Sequence, residues 1–211
     1  MRKVHSPIVI AVLCAILLVA LTAVVWTGLT EKFDRAWRQT AFDVDPAGAL
    51  SVWKSVTLLG SGFVITLATL GFIFALALSR RWQDARYVAL VMVAAVIVEN
   101  AMKWIVQRPR PDEVIAYAMP SSFSFPSGHT LFATAFYGAC ALIVSPWLTG
   151  WARALMWFAV AGLVFAIGGS RIFLGVHYPS DVIAGFLAGA LCVATMRQTN
   201  KLKVTSAVEN S

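Results

Sequence analysis

Six stretches of this chain are too apolar for elements that face water. Ile8 to Val25 holds a single weakly polar residue, Thr22, in eighteen positions. A helix needs about 20 predominantly apolar residues to cross the hydrocarbon core of a bilayer. Runs of this kind predict helices at 8–29, 54–79, 86–106, 127–146, 152–169 and 179–197. The expected fold class is all-α: a polytopic membrane protein with six transmembrane helices. The expected organisation is one membrane domain over 1–199 and a short, loose polar cytoplasmic tail over 200–211.

Two segments need a separate decision. Arg2 and Lys3 precede the first apolar run, as they would in a signal peptide. That run is longer than a typical cleaved core and no clear small-residue cleavage site closes it, so it reads as a retained first helix. Between the first two spans, Phe33, Trp37, Thr40, Ala41 and Val44 recur at helical spacing, with Glu31, Lys32, Asp34, Arg35 and Arg38 filling most other positions. Residues 30–45 then form either an amphipathic helix on the membrane surface or a plain connecting loop. Pro46 and Gly48 would end such a helix.

Composition agrees with the pattern. The 211 residues are 59% hydrophobic and 13% charged, with mean hydropathy +0.77, whereas soluble domains run about 45–50% apolar and about 25% charged. Such a chain has room for one membrane domain and little else. Cys14, Cys140 and Cys192 all fall inside apolar runs without metal-ligand spacing, and read as reduced packing residues.

The net charge of +7 does not point to nucleic acid. No basic block interleaves with aromatics; the cations sit at the ends of the apolar runs. With the N-terminus inside, the inner segments hold nine basic residues and a net +7, and the outer segments eight basic residues and a net +1. Basic residues beside short loops favour the cytoplasm, so both termini are expected to be cytoplasmic. The raw basic count is nearly even, which asks why the outer face keeps its cations.

Three outer-end segments supply a reason. They are Lys103 to Pro111, Pro126-Ser127-Gly128-His129, and Ser170-Arg171 through His177 to Asp181. Six-span parity puts all three on one face. Lys103, Arg110 and Arg171 bring three cations there, able to hold one phosphoryl group and neutralise its oxygens. Snorkelling interface anchors would look the same one at a time. Pro109 and Pro111 stiffen the backbone around Arg110. Pro126 suits a first helical turn, leaving the N–H groups of Ser127, Gly128 and His129 to form an anion site at the positive end of a helix; a bare capped turn is the plainer alternative.

His177 stands just before a helix start marked by Pro179, with Asp181 four residues on. Asp181 can accept a hydrogen bond from one imidazole nitrogen and leave the other free to attack phosphorus. His129 can then protonate the leaving oxygen and later activate water. No carboxylate or His/Cys cluster has metal-ligand spacing.

At this point the segments resemble the three signature motifs of the type 2 phosphatidic acid phosphatase superfamily: K-x6-R-P, P-S-G-H and S-R-x5-H-x3-D. Every motif position is filled, over about 80 residues of this chain. The resemblance implies a phosphohistidine at His177, proton transfer by His129 and orientation of His177 by Asp181. It implies phosphate contacts from Lys103, Arg110, Ser127, Gly128, Ser170 and Arg171, and a reaction that needs no metal or other cofactor.

The expected activity is phosphomonoester or pyrophosphate hydrolysis on a membrane lipid at the extracytoplasmic face of a cell membrane. Candidate substrates are undecaprenyl pyrophosphate, phosphatidylglycerophosphate, phosphatidic acid and diacylglycerol pyrophosphate. Membrane lipids are the expected partners; no obligate protein partner is evident. A transporter or channel is the main rival, but the charges gather at one face rather than at mid-membrane. A haloperoxidase-like use of the site fits six spans poorly. A lipid-binding protein with a dead site fits the complete motif set poorly.

Two further residues pairs carry expectations. Glu99 lies four residues before Lys103 and is expected to pair with it and hold it in place; a neutral Glu beside Asn100 is the alternative. Gly185 and Gly189 give the last helix a small face suited to close packing rather than dimerisation.

Overall fold

A computed structural model describes residues 7–44, 50–111 and 122–209. Among them the chain is helical, with no strand: α1 Pro7–Trp26, α2 Glu31–Val44, α3 Leu50–Leu58, α4 Gly62–Leu78, α5 Trp82–Val106, α6 Gly128–Val144, α7 Gly150–Phe173 and α8 Pro179–Glu209. Five helices are long and apolar enough to cross a membrane, and six spans result if α3 and α4 count as one broken span. Large apolar side chains such as Ile16, Val19, Phe74 and Phe158 stay exposed on the bundle's outer surface, as lipid contact requires.

The expected span at 54–79 is two helices bent by 41°. Ser61 caps α4 by accepting a hydrogen bond from the Val64 N–H at 3.3 Å. Gly60 sits in the break because nothing larger fits: a Cβ there would lie 2.5 Å from Ile167 Cγ2 and 3.2 Å from the His129 carbonyl. The Leu59 carbonyl accepts instead from the Tyr137 hydroxyl at 2.9 Å. The segment over 31–44, left open between helix and loop, is the helix α2. The last helix runs on to Glu209, beyond the expected end of the span at 197. Residues 45–49, with Pro46 and Gly48, and 210–211 lie outside the described residues.

α8 packs against α1, α5 and α6. A cluster including Leu18, Val88, Val91, Leu131, Ala135, Ala184 and Ala188 fills the space between these helices. The approach of α8 to α6 depends on the two glycines: a Cβ on Gly185 would lie 2.8 Å from the Ser127 carbonyl, and one on Gly189 2.6 Å from Thr134 Cβ. The small face therefore serves packing within the bundle, as the sequence suggests. Cys14 and Cys192 are buried, Cys140 is half-buried, and all three are free thiols.

The two ends of the bundle differ in chemistry. At the end holding the α4–α5 and α6–α7 turns, the Arg81 guanidinium stacks 4.2 Å from the Trp147 ring. The three motif segments gather at the opposite end. Replacing Gly189 with Leu is expected to force α8 off α6 and cost about 1–3 kcal/mol, read as a lower Tm in detergent. Gly162→Leu, where a Cβ meets nothing within 4 Å, should leave Tm near the wild-type value.

Candidate active site

The site forms because four helices end, or begin, at one level. α5 stops at Gln107, whose left-handed conformation (φ 48°) closes the helix as its N–H bonds the Lys103 carbonyl. Pro109 and Pro111 prevent the helix from resuming. α6 starts at Gly128 with Ser127 as its cap, so Pro126 precedes the helix instead of occupying its first turn. α7 ends at Phe173, and its Arg171 carbonyl accepts from the N–H groups of Val176 and His177, both at 3.2 Å. That fixes the backbone of His177 before α8 begins.

His177 is buried between opposite partners. Its Nδ1 faces Asp181 Oδ2 at 3.4 Å, and its Nε2 faces Arg110 Nη1 at 3.3 Å. With the proton on Nδ1, that nitrogen donates to Asp181 while the one lone pair of Nε2 accepts from Arg110, so an attack from Nε2 requires Arg110 to turn this N–H to another acceptor. Burial pulls the imidazole down from 6.5 to about 4; the hydrogen bond and charge of Asp181 oppose this, and Arg110 and Arg171 reinforce it. The ring is thus neutral through the range where an ordinary histidine gains its proton.

Asp181 is wholly buried. Its Oδ2 also accepts from the Tyr178 N–H at 2.9 Å and from the Ser124 hydroxyl. Its Oδ1 accepts from Arg108 Nη1 at 2.7 Å. Its backbone carbonyl takes the Ser127 N–H at 3.0 Å. Ser127 was expected to offer that N–H to an anion; the structure commits it to Asp181. Gly128 and His129 remain to present the first-turn N–H groups of α6.

The cations converge on the short segment before α6. Arg110 donates from Nε to the Ser122 carbonyl at 2.8 Å and from Nη1 to the Val176 carbonyl at 2.9 Å. Burial lowers its pKa, against the opposing charges of Asp181 and Glu99. Lys103 Nζ lies 2.7 Å from Glu99 Oε1 and 3.3 Å from Ser122 Oγ. Glu99 also abuts Gly128, where a Cβ would fall 2.3 Å from Oε1. A residue larger than glycine at the start of α6 would displace this ion pair.

Arg171 is nearly wholly buried and donates from Nη1 to Thr57 Oγ1 of α3 at 2.6 Å. The Ser170 hydroxyl is bonded to the Ile167 carbonyl at 2.6 Å, so it supports its own helix and turns no donor toward the other motif residues. His129 is brought to the same end, with its backbone packed under Gly60. Among the described residues, no three His, Cys, Asp or Glu side chains are grouped as metal ligands.

Several residues that build the site carried no motif signal. Thr57 holds Arg171, Ser124 holds Asp181, and Ser122 joins Lys103 to Arg110. The half-buried Arg108 links the buried Asp34 to the buried Asp181. Arg108 was visible only as one more outer cation, and Asp34 only as one acid among many in α2.

The likenesses to known proteins match this geometry. The family model described as the PAP2 superfamily matches residues 84–203, which include all three segments. The chain is 30% identical over 179 residues to phosphatidylglycerophosphatase B of Bacillus subtilis (strain 168), covering 81% of this chain and 85% of that protein. It is 36% identical over 152 residues to decaprenylphosphoryl-5-phosphoribose phosphatase of Mycobacterium tuberculosis (strain CDC 1551 / Oshkosh), covering 70% and 78%. The crystal structure of a transmembrane PAP2-type phosphatidylglycerolphosphate phosphatase from Bacillus subtilis superposes with a TM-score of 0.83 at 25% identity, over 90% of this chain and 96% of that one. With its helices arranged as in that membrane phosphatase and its motif residues drawn together at one end, this multi-pass membrane protein belongs to the PAP2 superfamily.

Proposed function

We propose that this protein hydrolyses a phosphomonoester or pyrophosphate on a membrane lipid through a phosphohistidine at His177. The observation that carries the reading is the seating of one imidazole between Asp181 and Arg110: one nitrogen is anchored, and the other is aimed at the phosphate clamp. His177 Nε2 attacks phosphorus as the bond to the lipid oxygen breaks, and His129 gives that oxygen its proton. His129 then takes a proton from water, whose oxygen attacks phosphorus and breaks the P–N bond. The products are inorganic phosphate and the lipid alcohol, or the lipid monophosphate if the substrate was a pyrophosphate.

Lys103, Arg110 and Arg171, with the first-turn N–H groups of Gly128 and His129, offset the charge on the phosphoryl oxygens. Ser127 adds a phosphate contact through its hydroxyl in this reading, and Ser170 joins it only when its hydroxyl leaves the Ile167 carbonyl. Cations fill the role a metal ion plays in other phosphatases, so the reaction is read as metal-independent. Glu99 holds Lys103 over the site.

The site faces the extracytoplasmic side of the cell membrane, with both termini cytoplasmic. The charge balance supports this orientation: the inner face carries the larger net positive charge, and the proposed clamp accounts for three of the eight outer basic residues. A site level with the helix ends suits an amphiphile whose phosphate meets water while its chains stay among lipid. Two relatives are named for phosphates on a glycerolipid and on a polyprenyl carrier, which supports a lipid substrate without choosing between those chemistries.

The first test is phosphate release by the purified protein from phosphatidic acid, phosphatidylglycerophosphate, diacylglycerol pyrophosphate and undecaprenyl pyrophosphate. It is run in excess chelator beside His177→Ala. Wild-type turnover should persist in chelator, and the variant should lose about a thousandfold or more in kcat. A divalent-metal requirement, or turnover that survives the loss of His177, contradicts the mechanism.

Activity should also fall as pH drops through about 4, the value burial gives His177, because the protonated ring has no lone pair to attack with. An acid limb at 6 or above in kcat, beyond what ionisation of the substrate's own phosphate produces, would contradict a neutral, buried nucleophile. Glu99→Gln should lower kcat/KM by about tenfold, the worth of a charge-assisted contact near 1.5 kcal/mol; unchanged kinetics would remove Glu99 from the site.

A further inference from the structure

The chain of charges behind Asp181 lies outside the motif set, and its geometry is specific. Arg108 stands two residues before Arg110 but faces away from the clamp. Its Nη1 donates to Asp181 Oδ1 and to Ser180 Oγ, both at 2.7 Å. Its Nη2 donates to Asp34 Oδ2 at 2.7 Å. The guanidinium lies 4.1 Å from the centre of the Tyr178 ring. Asp34 is wholly buried, and it also accepts from the Ser180 N–H at 3.0 Å and the Ser180 hydroxyl at 2.7 Å. These bonds engage both carboxylates and both terminal guanidinium nitrogens, and the cavity that Asp34 and Arg108 line includes none of Lys103, Arg110, His129, Arg171 or His177.

We propose that Asp34 and Arg108 are positioning residues: Arg108 holds the Asp181 carboxylate, Asp34 holds Arg108 and the first turn of α8, and α2 is thereby part of the apparatus that aims His177. The inference rests on His177 being the nucleophile.

The physical reason is the cost of a buried carboxylate. An ionised Asp181 in an apolar surround needs a charged partner and satisfied lone pairs. His177 cannot be that charged partner while neutral, and the Ser124 and Tyr178 donors carry no charge. Arg108 supplies the cation. It would be free to swing between acceptors without a second anion beyond it. Asp34 fixes its far nitrogen and, through Ser180, the backbone next to Asp181. Burial works against the charge on Arg108, but the charges and hydrogen bonds of Asp181 and Asp34 outweigh it and hold the guanidinium above its ordinary pKa.

The ion triad gives a test that packing alone would not meet. The groups facing His177 are Asp181 on α8, Arg110 from the α5–α6 connection and Arg171 on α7, with His129 on α6 close enough to feel its charge. Behind Asp181 stand Arg108 and Asp34. Removing the Arg108 charge leaves two anions behind the ring and favours its protonation. Removing the Asp34 charge leaves Arg108 and Asp181 balanced and disfavours it. The two changes therefore push the acid limb in opposite directions.

Full-length variants are assayed on phosphatidic acid in detergent, with Tm recorded for each. Arg108→Gln is expected to lower kcat by about tenfold or more, with KM within about threefold, and to move the acid limb of the rate profile to higher pH. Asp34→Asn is expected to lower kcat less and to move the limb to lower pH. The double variant Asp34→Asn/Arg108→Gln restores the wild-type charge sum, so its limb should return toward the wild-type position while kcat stays low. Arg108→Lys keeps the charge without the two-armed fork, and should keep the limb but not full kcat. Arg35→Gln, at an exposed α2 residue paired with Glu31, is the control and should behave as wild type.

Should Arg108→Gln fail to fold, Asp34→Asn and Arg108→Lys carry the test. Folded Asp34 and Arg108 variants with wild-type kcat and pH profile overturn the proposal. So does a rise in KM at unchanged kcat, which would make Arg108 a phosphate contact, or a loss that follows Tm with an unshifted limb. If His177→Ala keeps wild-type turnover in the same assay, the reading beneath the proposal fails instead, whatever the other variants do.

Discussion

One buried carboxylate organises this protein. Asp181 is inaccessible to solvent, and an unpaired ion in such a place would cost several kcal/mol. Its partners come from three separated parts of the chain: Arg108 after α5, Ser124 before α6, and Tyr178 and His177 before α8. Its backbone carbonyl adds Ser127, the cap of α6. Satisfying one ion thus brings the ends of the helices that carry the motifs to one level and in one register. The cations of the proposed phosphate clamp are arranged around that fixed point. Arg110 bridges the segment before α6 to the turn before α8, and Arg171 is braced by Thr57 from α3.

The rest of the bundle serves to hold this polar end among apolar helices. Within lipid, apolar burial gives little drive for helix association, and close packing has to supply it. Gly185 and Gly189 let α8 approach α6 to backbone contact, which sets the distance between the His129 and His177 segments. Gly60 does the same for the break between α3 and α4, which lies against His129 and Ile167. Gly128 makes room for Glu99, and through it for Lys103. At each of these contacts a small residue was selected by what must pass beside it.

Much of this was legible in the chain. Apolar runs gave the spans, because each long helix in lipid must be apolar over its own length. The three motif segments were legible because residue type and spacing are restricted within each, and the structure brings them to one end of the bundle. Glu99 and Lys103 pair as i,i+4 neighbours on one helix, a local geometry that spacing alone conveys. The small face of α8 was legible for the same reason.

What stayed hidden is long-range. Asp34 meets Arg108 across 74 positions and Ser180 across 146, and Arg171 meets Thr57 across 114; no periodicity encodes such a meeting. In the pattern of α2, Asp34 looks like its exposed neighbours Lys32 and Arg35, although it is buried. The break at 59–61 was missed because the residues there remain apolar enough to continue a span; the packing of Gly60 on Ile167 decides it. The Ser127 N–H was assigned to an anion because a helix start invites one, and the Asp181 carbonyl takes it instead.

The central claim is that His177 carries the phosphoryl group between lipid and water. Rapid mixing of the protein with radiolabelled phosphatidic acid, an alkaline quench, and mass spectrometry of the fragments tests it most directly. The account predicts a phosphoryl adduct on His177 that survives base, is lost in acid, and is absent from His177→Ala. Turnover without any adduct at early times, or an adduct on another residue, would contradict it.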